Sequence, residues 1–103
     1  MQVSILLTTV AKKSDARRLA QAALQSRTAA CVQILPKTES HYVWKGRKTI
    51  SREFVLIAKT VSTRVKALET LWKKIHPYDC PELLSLPAKS SAEYGRWIRS
   101  SVR

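Results

Sequence analysis

Glycine is almost missing from this chain. Only Gly46 and Gly95 occur in 103 residues, too few for a GxxxxGK[ST] phosphate loop, a GxGxxG nucleotide turn or a GxSxG nucleophile elbow. Cysteine is as scarce: Cys31 and Cys80 form no CxxC pair, the usage of a reducing compartment where free thiols pack as small apolar groups. No apolar run reaches the roughly 18 residues of a membrane span, and Met1–Leu7 is neither basic nor long enough for a secretory signal. A cytoplasmic protein without a disulfide is therefore expected. Acidic residues are also few, seven Asp and Glu against 19 Lys and Arg, which leaves a formal charge of +12 and a pI near 10.3. Such a field attracts polyanions and repels cations.

What is present suffices for one globular unit. Hydrophobic residues make up 45% and charged residues 25%, the balance of a chain that builds a core, and residues 1–103 read as a single domain. Alternation of Val3, Ile5 and Leu7 with polar neighbours predicts a strand over Gln2–Thr9. A helix follows, capped by Ser14 or Asp15, burying Leu19, Ala20, Ala23 and Leu24 and ending near Arg27. Cys31–Trp44 is a long strand that Pro36 should bend, by a bulge or an edge position. Gly46 marks a hairpin tip, and the return strand runs over Thr49–Val61.

From Thr63 a second helix sets Val65, Leu68, Leu71, Trp72 and Ile75 on one stripe, and His76-Pro77 stops it. Trp72 is expected in the core. Glu82–Pro87 is a short strand, and Ser90–Val102 a third helix turning Tyr94, Trp97, Ile98 and Val102 inward. The order βαββαβα describes an α+β, ferredoxin-like sandwich with an extra C-terminal helix.

In such a sandwich the helices cover one face of the sheet, so a solitary subunit should alternate apolar and polar residues. Here Phe54, Leu56 and Ala58 oppose Val55 and Ile57, and Leu84 and Leu86 oppose Leu83. Both faces are apolar. A closed homo-oligomer is expected to bury the second face; the competing reading lets the third helix cover it, which suffices for two strands but not four.

Several ordered words complete the picture: Ala29-Ala30-Cys31-Val32 with Ile34-Leu35-Pro36, Tyr42-Val43-Trp44-Lys45-Gly46, and Leu56-Ile57-Ala58-Lys59-Thr60. His76-Pro77-Tyr78-Asp79-Cys80-Pro81-Glu82-Leu83 follows, then Leu86-Pro87 and Tyr94-Gly95-Arg96-Trp97. From Val3 to Val102 the chain resembles the CutA family of divalent-cation tolerance proteins. The resemblance implies a homotrimer whose sheets pack edge to edge and whose long hairpin reaches a neighbour. It also implies a cytoplasmic protein of copper and divalent-cation tolerance, binding copper or another divalent cation and no organic cofactor. The chain departs from the family pattern in having Ala88-Lys89-Ser90-Ser91 after its last Leu-Pro, and Ile75 where some members carry a second histidine before Pro-Tyr.

Candidate sites follow from side-chain chemistry. His76 is the leading metal ligand, since imidazole suits copper and zinc, and Cys31 and Cys80 are soft-ligand candidates. A tight site needs three or four ligands, and His41 and Cys31 lie in other segments. Against ligation stand capping of helix-end carbonyls or a structural hydrogen bond for His76, and simple packing for both thiols. Lys59, Tyr78, Glu82, Trp44 and Trp97 are candidates to line a ligand pocket between subunits; Lys59 and Glu82 as an ion pair, and the aromatics as interface anchors, are the competing readings. Catalysis lacks support: two isolated histidines form no triad, and Pro81 separates Asp79 from Glu82. A non-enzyme is expected.

Three readings emerge. The first is a trimeric metal-ion-response protein binding ions or a small ligand at its interfaces. The second is a basic module binding nucleic acid non-specifically, which shares the βαββαβ order with RNA recognition motifs but lacks their glycines and aromatic platform. The third is a hub that offers the hairpin tip Lys45–Lys48 to an acidic partner.

Overall fold

In the computed structural model, which describes residues 1–103, the chain runs β1 (Gln2–Val10), α1 (Lys13–Gln25), β2 (Cys31–Trp44) and β3 (Arg47–Thr60). A 3-10 turn over Ser62–Arg64 then leads into α2 (Val65–Ile75), followed by β4 (Leu84–Lys89) and α3 (Ala92–Ser101). The four strands form one antiparallel sheet in the order β2-β3-β1-β4. This is the ferredoxin-like arrangement with an added C-terminal helix.

The core lies between the sheet and the first two helices. Leu6 and Val10 of β1 and Leu56 and Ala58 of β3 meet Ala16, Leu19 and Ala23 of α1 and Leu68 and Trp72 of α2, all buried. Trp72 is fully enclosed, and its indole Nε1 donates to the carbonyl of Leu19 at 3.0 Å, so burying the ring strands no polar atom. Of the remaining stripe residues of α2, Leu71 and Ile75 pack at the rim of this cluster, whereas Val65, at the helix start, is half-buried outside it.

Helix α1 differs from expectation at both ends of its apolar stripe. It starts at Lys13 with no side-chain cap, so Ser14 and Asp15 sit inside the first turn. There Asp15 accepts from Arg18 at 3.1 Å and its charge suits the helix start. Ala16 takes the buried place that Leu24 was expected to fill, and Leu24 is exposed. The buried stripe of α1 is therefore Ala16, Leu19 and Ala23. The helix ends where Arg27 enters the left-handed region at φ 58, and the Thr28 N–H reaches back to the carbonyl of Ala23.

Pro36 bends β2 as its chemistry requires. The β2–β3 register slips between Leu35 and Thr38, and β2 is an edge strand, so the missing proline N–H breaks no interior ladder. Beyond the bulge the hairpin continues to a two-residue turn, Lys45 at φ 50 and Gly46 at φ 76, which matches the twist of its strands. The molecule is accordingly elongated, 44 × 24 × 22 Å.

Helix α3 crosses the opposite face of the sheet and lies against β1 and β3. Its buried stripe is Gly95, Ile98 and Val102. Tyr94 and Trp97, expected inward, are turned to solvent, because the helix approaches Met1 at Gly95 too closely to admit larger residues: a Cβ there would lie 2.8 Å from the Met1 Cβ. Leu83 packs against the core, whereas Leu84 and Leu86 on the other side of β4 stay exposed, as do Val43 and Ile50 of the hairpin. The third helix thus lies over two strands, and apolar side chains on β4 and on the hairpin remain open.

Candidate functional site

Residues 76–83 connect α2 to β4 and double back beneath the hairpin. Pro77 excludes helical dihedrals from the residue before it, and His76 is accordingly extended at φ −68, ψ 139. Both ring nitrogens of His76 are engaged. Nδ1 accepts from the Tyr78 N–H at 3.1 Å, and Nε2 lies 2.9 Å from the hydroxyl of Thr8. A neutral ring with its proton on Nε2 satisfies both bonds, and burial lowers the imidazole pKa below its ordinary 6.5. The histidine therefore pins the loop to β1.

Pinning His76 aims Tyr78 at β3. The Tyr78 hydroxyl donates to Glu53 Oε2 at 2.9 Å, and burial first, then this bond, raises its pKa above the ordinary range. Glu53 is the only acidic residue of β3 and is itself buried. Glu82 returns to the same place from the far end of the loop; burial and the Glu53 carboxylate both raise its pKa.

Between loop and hairpin lies a cleft of about 760 Å³, walled by Ser40, His41, Tyr42 and Trp44 on one side and by Tyr78, Asp79, Cys80 and Glu82 on the other, with Glu53 at its base. Three carboxylates line it, and no lysine or arginine does. In a chain carrying +12, three of the seven acidic residues meet in a cleft that no lysine or arginine lines.

The cleft brings together Trp44, Tyr78 and Glu82. Lys59 and Trp97 lie elsewhere: Lys59 donates to the Tyr94 hydroxyl at 3.3 Å and sits 5.5 Å from that ring's centre, and Tyr94 stacks on Trp97 at 5.6 Å. Lys59 and Glu82 form no ion pair, since the chain's two are Arg18–Asp15 and His41–Glu39. Cys31 is half-buried and pairs across the sheet with Lys59. Cys80 is exposed in the cleft rather than packed. Glu53 escaped the sequence reading; its one signal is a carboxylate next to the apolar run Phe54–Ala58. No three His, Cys, Asp or Glu side chains of one chain converge on a point that could hold a metal ion.

A family model described as CutA1 divalent ion tolerance protein matches residues 4–101. The divalent-cation tolerance protein CutA of Pectobacterium atrosepticum is 38% identical over 100 residues, 96% of this chain and 91% of its own. That of Thermus thermophilus is 37% identical over 99 residues, 95% and 96% of the two chains. Among solved structures, the divalent cation tolerance protein from Thermus thermophilus matches with a TM-score of 0.93 at 36% identity, covering 100% of both chains. CutA1 from Oryza sativa matches at 0.94 and 36% identity, covering 100% of this chain and 95% of its own.

Proposed function

The chain belongs to the CutA1 divalent ion tolerance family, and on that premise we propose that it serves divalent-cation tolerance as a non-catalytic, self-associating binding protein. Its copies assemble as a homotrimer, and the cleft beneath the hairpin takes a divalent cation, copper among the candidates, or a small cationic ligand at the seam between subunits. The cation is cargo and no organic cofactor is used. Two free thiols suit a cytoplasmic setting.

One observation supports this reading above the others: Glu53, Asp79 and Glu82 line a cleft without lysine or arginine in a chain whose overall charge opposes cations. One chain alone does not fit a tightly held metal, because no three donors converge and both nitrogens of His76 are already bonded. A cation site consequently needs donors added from a second copy, which ties binding to assembly. His76 acts in this reading through the position of Tyr78; Cys80, Asp79 and Glu82 offer the open donors. Lys59, Tyr94 and Trp97 sit on the face of the sheet that copies would share, where aromatic residues anchor interfaces.

Calorimetric titration of copper and zinc tests this. The wild type should give saturable heat, and Asp79→Asn with Glu82→Gln should weaken binding at least tenfold while His76→Ala weakens it less. Equal, weak heats in all three proteins would remove the cleft as the cation site.

A further inference from the structure

The cations kept out of the acidic cleft are partly organised elsewhere. On the helix side of the molecule a shallow groove of about 670 Å³ runs from the end of α1 along α2, and Arg64, Lys66, Thr70 and Lys74 line it. Lys66, Thr70 and Lys74 follow one another at single-turn spacing, so they form a row roughly 12 Å long. Arg64 stands at its head. No carboxylate lines the groove; Glu69, the one acid of α2, lies off it. Neither Arg64 nor the two lysines make an ion pair.

Arg64 carries the second observation. Of all buried side-chain nitrogen and oxygen atoms in the chain, its Nε alone has no hydrogen-bond partner. Native structures satisfy nearly all such atoms, and a guanidinium N–H withdrawn from water without an acceptor is costly. Arg64 is nonetheless only half-buried, lines the groove and has no carboxylate partner, so an oxyanion there would meet the guanidinium through its accessible N–H groups, and the planar fork of arginine matches a phosphate.

We propose that this groove binds a small phosphate-bearing ligand, with Arg64 as its anchor and Lys66 and Lys74 bonding the same phosphate or its neighbour. The site is on the opposite side of the sheet from α3 and independent of the cleft, so it stands or falls apart from cation binding. It also gives part of the excess positive charge a purpose.

The test is calorimetry with inorganic pyrophosphate at about 0.1 M salt, where diffuse surface attraction is largely screened. Saturable binding is expected. Arg64→Gln should weaken it at least tenfold, and Arg64→Lys should fall between, keeping the charge but losing the fork. Lys48→Gln at the hairpin tip makes the same charge change far away and should shift affinity less than twofold. ADP as a second probe identifies the source: sensitivity to Arg64 in both titrations means a phosphate ester is accepted, and sensitivity with pyrophosphate only restricts the site to the free anion. Should Arg64→Gln fail to fold, Lys66→Gln with Lys74→Gln carries the same expectation. Absence of saturable binding, or equal weakening by the Arg64 and Lys48 changes, would overturn the proposal.

Discussion

His76 illustrates how one side chain decides the shape of the cleft without lining it. Its ring ties β1 to the backbone of Tyr78, and Tyr78 in turn reaches Glu53. This has a consequence in pH. Because burial lowers the folded-state pKa of His76 below 6.5, folded and unfolded chains are both neutral at this position above that value, and no penalty exists there. As pH falls below 6.5, the unfolded chain takes up the proton first, so stability is lost until the folded ring also protonates. Glu82 has the opposite slope: its raised folded pKa favours the folded state below 4.5, an advantage lost as pH rises through the folded value. Urea midpoints of wild type and His76→Asn across pH 7.5 to 5 separate the two. The wild-type midpoint should drop more steeply than that of the variant, and parallel curves would show that the imidazole is not withdrawn from water. A structural hydrogen bond for His76 was legible in the sequence, and the ring makes two; its partners were not. Nothing in the sequence says that Glu53 of β3 and Tyr78 of a loop 25 residues away would meet, since convergence of distant segments leaves no local pattern.

Elements were read well where backbone chemistry is stringent and poorly where a pattern fits two geometries. Pro36 and Gly46 each permit few conformations, and the bulge and turn they mark are present. For α3, by contrast, the apolar series Tyr94, Trp97, Ile98, Val102 and the small-residue series Gly95, Ile98, Val102 both have helical spacing; only the close approach to Met1 selects the second. The two glycines therefore invite different responses to alanine. At Gly46 nothing lies within 4 Å of the added methyl, so Gly46→Ala costs only the left-handed conformation, about 1 kcal/mol. At Gly95 the methyl would lie 2.5 Å from the Ser90 hydroxyl and 2.7 Å from the Met1 sulfur. Overpacking of about 1–3 kcal/mol then exceeds or cancels the helical gain of about 1 kcal/mol. Denaturant unfolding should show a loss for Gly46→Ala and no gain for Gly95→Ala, and only Gly95→Ala should change the fluorescence of Trp97 by displacing α3. An unchanged spectrum would place the contact with Met1 outside what orients the helix.

The assembled fold leaves one problem unsolved within a single chain. Helices α1 and α2 close one face of the sheet, and α3 closes the part of the other formed by β1 and β3. Leu84 and Leu86 on β4 and Val43 and Ile50 on the hairpin remain in water, two groups of apolar side chains towards opposite edges of the sheet, and exposed apolar surface of this kind marks association. The obstacle to joining copies is electrostatic, because each carries +12, and that repulsion is long-range and screened by salt, whereas apolar burial is neither. The two forces predict a specific dependence: light scattering should give a mass near that of one 11.7 kDa chain only at the lowest salt and protein concentrations, rising to three chains near 0.15 M salt. Charged substitutions at Ile50 and Leu86 should hold the protein at one chain in both conditions while leaving its circular dichroism intact, since neither residue belongs to the buried cluster. A wild type that stays at one chain in 0.15 M salt would mean that the hairpin and β4 tolerate water after all, and the proposed cation site at the seam would lose the second set of donors on which it depends.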